Sequence, residues 1–308
     1  MQKKIEHFFT MSHHKTIKKC FIYDPTMQTA TFEFEPQPQD KFLTIAQEIK
    51  LYLRPATTLL PQIEQVCTST CSTALLISNL QKAIRRREHC SALSSASALL
   101  QQDPTKLIRR LSIICVEDVV AIDTIPVVVW IMMTHTTYHM TPADHLFILQ
   151  MVWTLCEIDV AYRCDFHKEP PVHTHQRLQM EKNADVLLSL HYRTMYGGMK
   201  GDMIMLKNAI EDYKTEQVYS IITPHIDLPQ EVELLMEAID FHPLPPLLSA
   251  LHKKTGLEKP LIKEIIWYAE SGVNVRKQET LDQSEEYQEK EEWGLISKHI
   301  DTIRMELI

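Results

Sequence analysis

From residue 40 onward, apolar positions recur at spacings of three and four, the period of one helix face. Phe42, Ile45, Ile49 and Leu53 set the pattern, with Asp40 available as an N-cap and Pro55 ending the run. The same spacing predicts a helix after Pro61 that runs through Leu75, Leu76, Leu80 and Ile84. Shorter helices follow over 89–101 and 104–116, the second opened by Asp103-Pro104, an N-cap and a first-turn proline. The continuous apolar run Ile125 to Met133 holds Pro126 and reads as a buried core helix. Thr141-Pro142 opens a further helix towards Ala161, residues 166–175 read as a loop, and helical patterns resume over 176–196, 202–214, 229–238, 246–254 and 259–270. A charged helix over 282–306 closes the series.

Upstream the period changes to two. Cys20-Phe-Ile-Tyr and Ala30-Thr-Phe-Glu-Phe are aromatic and β-branched, and Asp24-Pro25 supplies a turn between them, which predicts a β-hairpin over 18–35. The expected fold class is mainly α: a flexible N-terminal peptide over 1–17, the hairpin, a first helical region over 40–165, a second over 176–278, and an acidic C-terminal helix over 279–308. Composition agrees, because six glycines in 308 residues is too few for the turns and bulges of a sheet-rich fold.

Charge is uneven along this frame. Residues 1–20 carry five lysines against Glu6, a net +4, and residues 279–292 carry seven carboxylates against Lys290, a net −6. The whole chain is at −8, which argues against a general polyanion binder. No apolar run reaches the roughly 20 residues of a membrane span. Seven cysteines, an odd number, and no apolar signal-peptide core predict an intracellular protein with free thiols.

Gln2-Lys-Lys-Ile5-Glu-His-Phe8-Phe9 has a glutamine, an aliphatic residue three positions on, and two adjacent aromatics. Spacings of three and four put Ile5, Phe8 and Phe9 on one side of a helical turn. Two rings in so small a peptide bury large area at low rotamer cost, as interface anchors do. The segment resembles the box by which replication and repair proteins bind the eukaryotic sliding clamp, PCNA, and it fills every defined position. The resemblance implies that Ile5, Phe8 and Phe9 plug a pocket on the clamp while the Gln2 amide bonds beside it. It also implies a protein acting where DNA is replicated, in the nucleus or an equivalent compartment.

Leu80-Gln-Lys-Ala-Ile-Arg-Arg-Arg, and the stretch from Ala98 through Arg109-Arg110 to Glu117-Asp118, are similar to the C-terminal helical region of clamp-loader-related ATPases of the MgsA and Werner-helicase-interacting type. The similarity covers roughly 80–100 residues and implies self-association, a homo-oligomer. Those ATPases carry a Gly-x4-Gly-Lys-Ser/Thr loop upstream, whereas no glycine occurs here before Gly197, so nucleotide hydrolysis is not implied. Arg85, Arg86, Arg87, Arg109 and Arg110 form two basic clusters on neighbouring predicted helices. They are candidate contacts to DNA phosphates, or else solvated helix faces and ion-pair partners of Glu88, Glu117 and Asp118.

Other residues carry less. Tyr196-Gly-Gly-Met-Lys-Gly-Asp reads as a corner between helices, with a left-handed cap at Gly197-Gly198 and a helix start at Gly201-Asp202. Cys156, Cys164, His167, His173 and His175 have ligand atoms but no recognised zinc spacing, so no metal or cofactor is assigned. His225-Ile-Asp227 and Asp240-Phe-His242 lack a nucleophile at a recognisable spacing, so no catalytic residue is assigned and the chain is not read as an enzyme. Trp267, Tyr268, Asn274 and Arg276 form a candidate surface cluster.

Overall fold

The computed structural model describes residues 67, 69–134, 140, 142–165, 168–216, 218–222, 224–240 and 244–307. The hairpin predicted over 18–35, the helix over 42–53 and the N-terminal peptide lie outside them. Among the described residues the chain is mainly helical.

It forms two compact units, each assembled from separated stretches. The first holds residues 108–144 and 163–221, and the second holds 63–107, 145–162 and 222–308, together with undescribed positions. In chain order the first helices are α1 (Thr73–Arg86), α2 (His89–Gln102), α3 (Pro104–Asp118), α4 (Ile125–Thr134) and α5 (Pro142–Glu157). Then come α6 (His175–Gln179), α7 (Ala184–Met195), α8 (Lys200–Tyr213), a 3₁₀ turn (Met236–Asp240), α9 (Leu244–Thr255) and α10 (Lys259–Ile266). A π-helical turn (Trp267–Ser271), α11 (Gln278–Gln288) and α12 (Glu291–Glu306) complete the order.

In the first unit α7 packs against α4, α6 and α8. Leu111, Ile114 and Val119 are buried, as are Val128 of α4, Leu187 and Leu190 of α7, and Leu206 and Ile210 of α8. α4 is apolar all round, as a core helix must be, and it is where Ile125 to Met133 predicts one. Residues 121–123 run beside Tyr219: Tyr219 N–H donates to Ala121 at 3.2 Å and Asp123 N–H to Tyr219 at 2.7 Å. The buried Tyr213 hydroxyl accepts from the Ala121 N–H at 2.8 Å.

In the second unit α1 begins where the Ser72 hydroxyl accepts from Leu75 N–H at 3.3 Å. Its apolar stripe, Leu76, Leu80, Ala83 and Ile84, is wholly buried, and α1 lies against α2. A separate core joins Leu247 and Leu251 of α9, Ile262, Ile265 and Ile266 of α10, and Ile296, Ile300 and Ile303 of α12.

Four predicted helices come out differently. The one over 176–196 is broken between Gln179 and Ala184. Residues 229–235, predicted as helix, are not helical, and only 236–240 coil into the 3₁₀ turn. The reason is side-chain competition for the backbone. The fully buried Asn79 of α1 donates to Glu233 O at 2.8 Å and accepts from Leu235 N–H at 2.8 Å. Ser94 of α2 accepts from Glu233 N–H at 3.2 Å, so the polar groups a helix would use are already taken. The helix over 259–270 widens into the π turn, closed by a 2.7 Å bond from Gly272 N–H to Trp267 O. A Cβ on Gly272 would stand 2.7 Å from the Trp267 ring and 2.9 Å from the Trp267 carbonyl oxygen, so only glycine closes this turn. The terminal helix over 282–306 is two, α11 and α12, and of these the second carries an isoleucine stripe into the core.

Candidate functional site: the arginine clusters

Gln2, Ile5, Phe8 and Phe9, the candidate clamp-binding residues, lie outside the described residues. The five candidate phosphate-contacting arginines are all described, three in the second unit and two in the first.

Arg85, Arg86 and Arg87 end α1 or follow it, where the helix dipole favours cations. Arg85 is buried, with its guanidinium carbon 5.7 Å from the Trp267 ring centroid. Arg86 pairs with Glu237 of the 3₁₀ turn and donates to Glu270 O at 2.7 Å. Arg87 takes a left-handed backbone, φ 63°, and Glu88 N–H reaches back to Ala83 O at 2.9 Å. Its guanidinium donates to Cys156 O at 2.9 Å and Glu157 O at 2.8 Å, carbonyls of the last turn of α5.

Arg276 does the same for two helices at once. Its Nε donates to Ile158 O at 2.6 Å, one Nη to Ile84 O at 2.6 Å, and the other to Leu155 O at 2.5 Å. The last turns of α1 and α5 are thereby closed by one guanidinium, which satisfies carbonyls that a helix end leaves without partners. Of the surface cluster predicted around Trp267, Asn274 is buried and Arg276 is this junction. Tyr268 instead stacks on Tyr287, ring centroids 4.7 Å apart.

In the first unit Arg109 is exposed and its guanidinium carbon stands 4.9 Å from the Tyr196 ring centroid. Arg110 lies 3.6 Å from Glu117 and 3.5 Å from Asp202. Buried Arg193 of α7 donates to the Ser112 hydroxyl at 3.0 Å and Gly197 O at 2.7 Å. Burial lowers its pKa from the usual arginine value, Asp202 opposes the shift, and Arg109 and Arg110 add to it. These residues brace the corner between α7 and α8, where Gly197 has φ +86°, the left-handed cap the sequence predicts. α8 starts at Lys200, one residue before the predicted start.

The remaining candidates are dispersed. Cys156 is fully buried in α5, and burial pushes its thiol up to about 12. The His173 ring is 2.9 Å from Lys207 O, and Cys164 is half-buried. Side-chain contacts of His167 and His175 lie outside the described residues, as does His242. Among the described residues no three His, Cys, Asp or Glu side chains gather as metal ligands. His225 and Asp227 form an exposed pair at 3.1 Å. No helix among the described residues is long and apolar enough to cross a membrane.

Sequence reasoning missed a buried polar cluster in the second unit. Fully buried Arg304 of α12 grips Asp240 of the 3₁₀ turn at 2.9 and 2.8 Å and Glu270 at 2.6 Å. A signal for it was present: Arg304 directly follows Ile303 in the stripe Ile296, Ile300, Ile303, where a charge is out of place unless paired. No family model, curated protein or solved structure matches the chain significantly.

Proposed function

We propose that this chain is a sliding-clamp-binding accessory factor of DNA replication or repair, and that it acts by tethering rather than by catalysis. The observation that carries the reading is the eight-residue stretch Gln2 to Phe9, with Gln2, Ile5, Phe8 and Phe9 at the four defined positions of the clamp-binding box. The lysines around it suit an acidic partner, which speeds encounter. The box anchors a helical, non-hydrolytic, self-associating body at replicating or repaired DNA and so raises its local concentration there.

Direct DNA contact is a secondary part of this proposal. Each of the five arginines has an intramolecular partner, which favours a scaffolding role for them over phosphate binding. Arg109, the exposed one, is the residue to which phosphate contact falls.

The test is binding of a peptide covering residues 1–20, and of the full chain, to PCNA by calorimetry. Truncating both rings, Phe8→Ala with Phe9→Ala, removes two anchor side chains and is expected to weaken binding by about 4 kcal/mol, roughly a thousandfold. No binding by either molecule, or binding indifferent to the double substitution, sinks the proposal.

A further inference from the structure

One segment of the second unit, residues 231–235, is gripped by its backbone. The Asn79 amide of α1 serves two main-chain groups at once: Nδ2 donates to Glu233 O and Oδ1 accepts from Leu235 N–H, both at 2.8 Å. A carbonyl and the N–H two residues on are what an extended chain turns to one side for a neighbouring strand. The Ser94 hydroxyl of α2 accepts from Glu233 N–H at 3.2 Å. Leu234, between the two gripped residues, packs on the cluster of Leu75, Ala238 and Ile239. Glu231 and Glu233 are exposed, so their carboxylates take no part in the hold.

Both gripping groups are set without help from the segment they hold. Asn79 Nδ2 also donates to Ser95 Oγ at 2.7 Å, which decides which end of the amide is nitrogen. The Ser94 hydroxyl donates to Ser91 O at 3.2 Å, which leaves its lone pairs to accept. Asn79, Ser94 and Ser95 are wholly buried, on helices that pack on each other. Downstream, the 3₁₀ turn has anchors of its own: Arg304 holds Asp240 and Arg86 holds Glu237. Residues 231–235 can therefore lift while the turn and the two helices stay.

We infer that the face of α1 and α2 around Asn79 and Ser94 is a clamp for extended peptide backbone, filled in cis by residues 231–235, and that an extended segment of another protein, with an aliphatic residue in the place of Leu234, displaces them. Main-chain bonds give such a site affinity with little regard for sequence, and the apolar contact beside them gives selectivity. The seated segment defines the ligand: one carbonyl, two N–H groups and one aliphatic side chain. Three bonds between neutral groups each contribute little net stability, so the segment belongs to the easily opened part of the fold. Being tethered, it competes at an effective concentration in the millimolar range, which keeps the clamp closed until a better-matched segment arrives. This surface is independent of the clamp-binding box at residues 2–9.

The test uses the full chain and a fluorescein-labelled peptide covering residues 229–238, with binding followed by anisotropy. Glu233→Pro with Leu235→Pro removes both gripped N–H groups and frees the clamp, so the peptide should bind this variant at least about tenfold more tightly than the unsubstituted chain. Adding Asn79→Ala should cancel the gain. No binding to the double-proline variant, or a gain that survives Asn79→Ala, overturns the inference. Should a variant not fold, hydrogen exchange of the unsubstituted chain decides. Exchange of the Glu233 and Leu235 amides while α1 and α2 stay protected upholds the clamp, and exchange in step with those helices overturns it. A dimer of the unsubstituted chain that dissociates on the two proline substitutions, read by sedimentation, would give the site to residues 231–235 of a second copy and overturn the foreign ligand.

Discussion

Replacing Arg276 by methionine keeps a long unbranched stem and deletes the guanidinium that closes α1 and α5. Three short bonds disappear, to Ile84 O at 2.6 Å, Leu155 O at 2.5 Å and Ile158 O at 2.6 Å, with longer contacts to Arg85 O and Cys156 O at 3.4 Å each. A bond to a charged donor contributes about 1.5–3 kcal/mol, and an orphaned carbonyl loses a similar amount unless water reaches it. Arg276 is only half-buried, so water recovers part of this, and removing the cation also removes its desolvation cost. The expected net loss is about 4 kcal/mol. Arg276→Lys keeps the charge but not the planar fork, and one ammonium cannot span both helix ends, so about half the loss should remain. Urea unfolding followed by circular dichroism and tryptophan fluorescence measures both, as a shifted midpoint at unchanged slope. If Arg276→Met costs under about 1 kcal/mol, or Arg276→Lys equals the unsubstituted protein, the guanidinium is not the clasp described here.

Two further outcomes follow from local geometry. Gly272→Ala drives a methyl group into the Trp267 ring and carbonyl, so it should cost about 1–3 kcal/mol and shift tryptophan emission; a neutral result in a thermal melt would contradict the close approach. A thiol-reactive dye should label Cys90, which is exposed, in the native protein and reach Cys115 and Cys156 only on unfolding, because burial raises both thiols far above the normal range. Prompt labelling of Cys156 under native conditions, read by peptide mass spectrometry, would show that the α5 core is open.

The helices were legible because their apolar residues repeat at the helical period and their starts carry caps such as Asp103-Pro104. Lys106 N–H indeed bonds the Asp103 carboxylate at 3.0 Å. What escaped was whatever depends on partners distant in sequence. Arg86 meets Glu237 across 151 positions and Arg87 meets Cys156 across 69, so a cluster that reads as phosphate contacts is occupied by partners no local window contains. Residues 229–235 failed for a related reason. Their composition permits a helix, yet Asn79 and Ser94 capture the backbone first. The π turn was hidden too, since it depends on the ring of Trp267 filling the space beside a residue without a Cβ. Gly197 was legible because a left-handed helix end has few substitutes for glycine.

The internal commitment of the arginines bears on how a tether works. A body held at a clamp needs a stable fold, and it need not grip DNA itself, because the clamp supplies residence. Cations turned inward to close helix ends serve the first need and leave little charge for the second. The two requirements can be damaged independently. Phe8→Ala with Phe9→Ala should weaken clamp binding roughly a thousandfold and leave the unfolding transition where it was. Arg276→Met should lower that transition and leave the affinity of the peptide covering residues 1–20 untouched. If the double phenylalanine substitution instead destabilises the fold by as much as a buried pair of rings would, about 3–5 kcal/mol for each, those rings belong to the core of this molecule and the tether has no anchor.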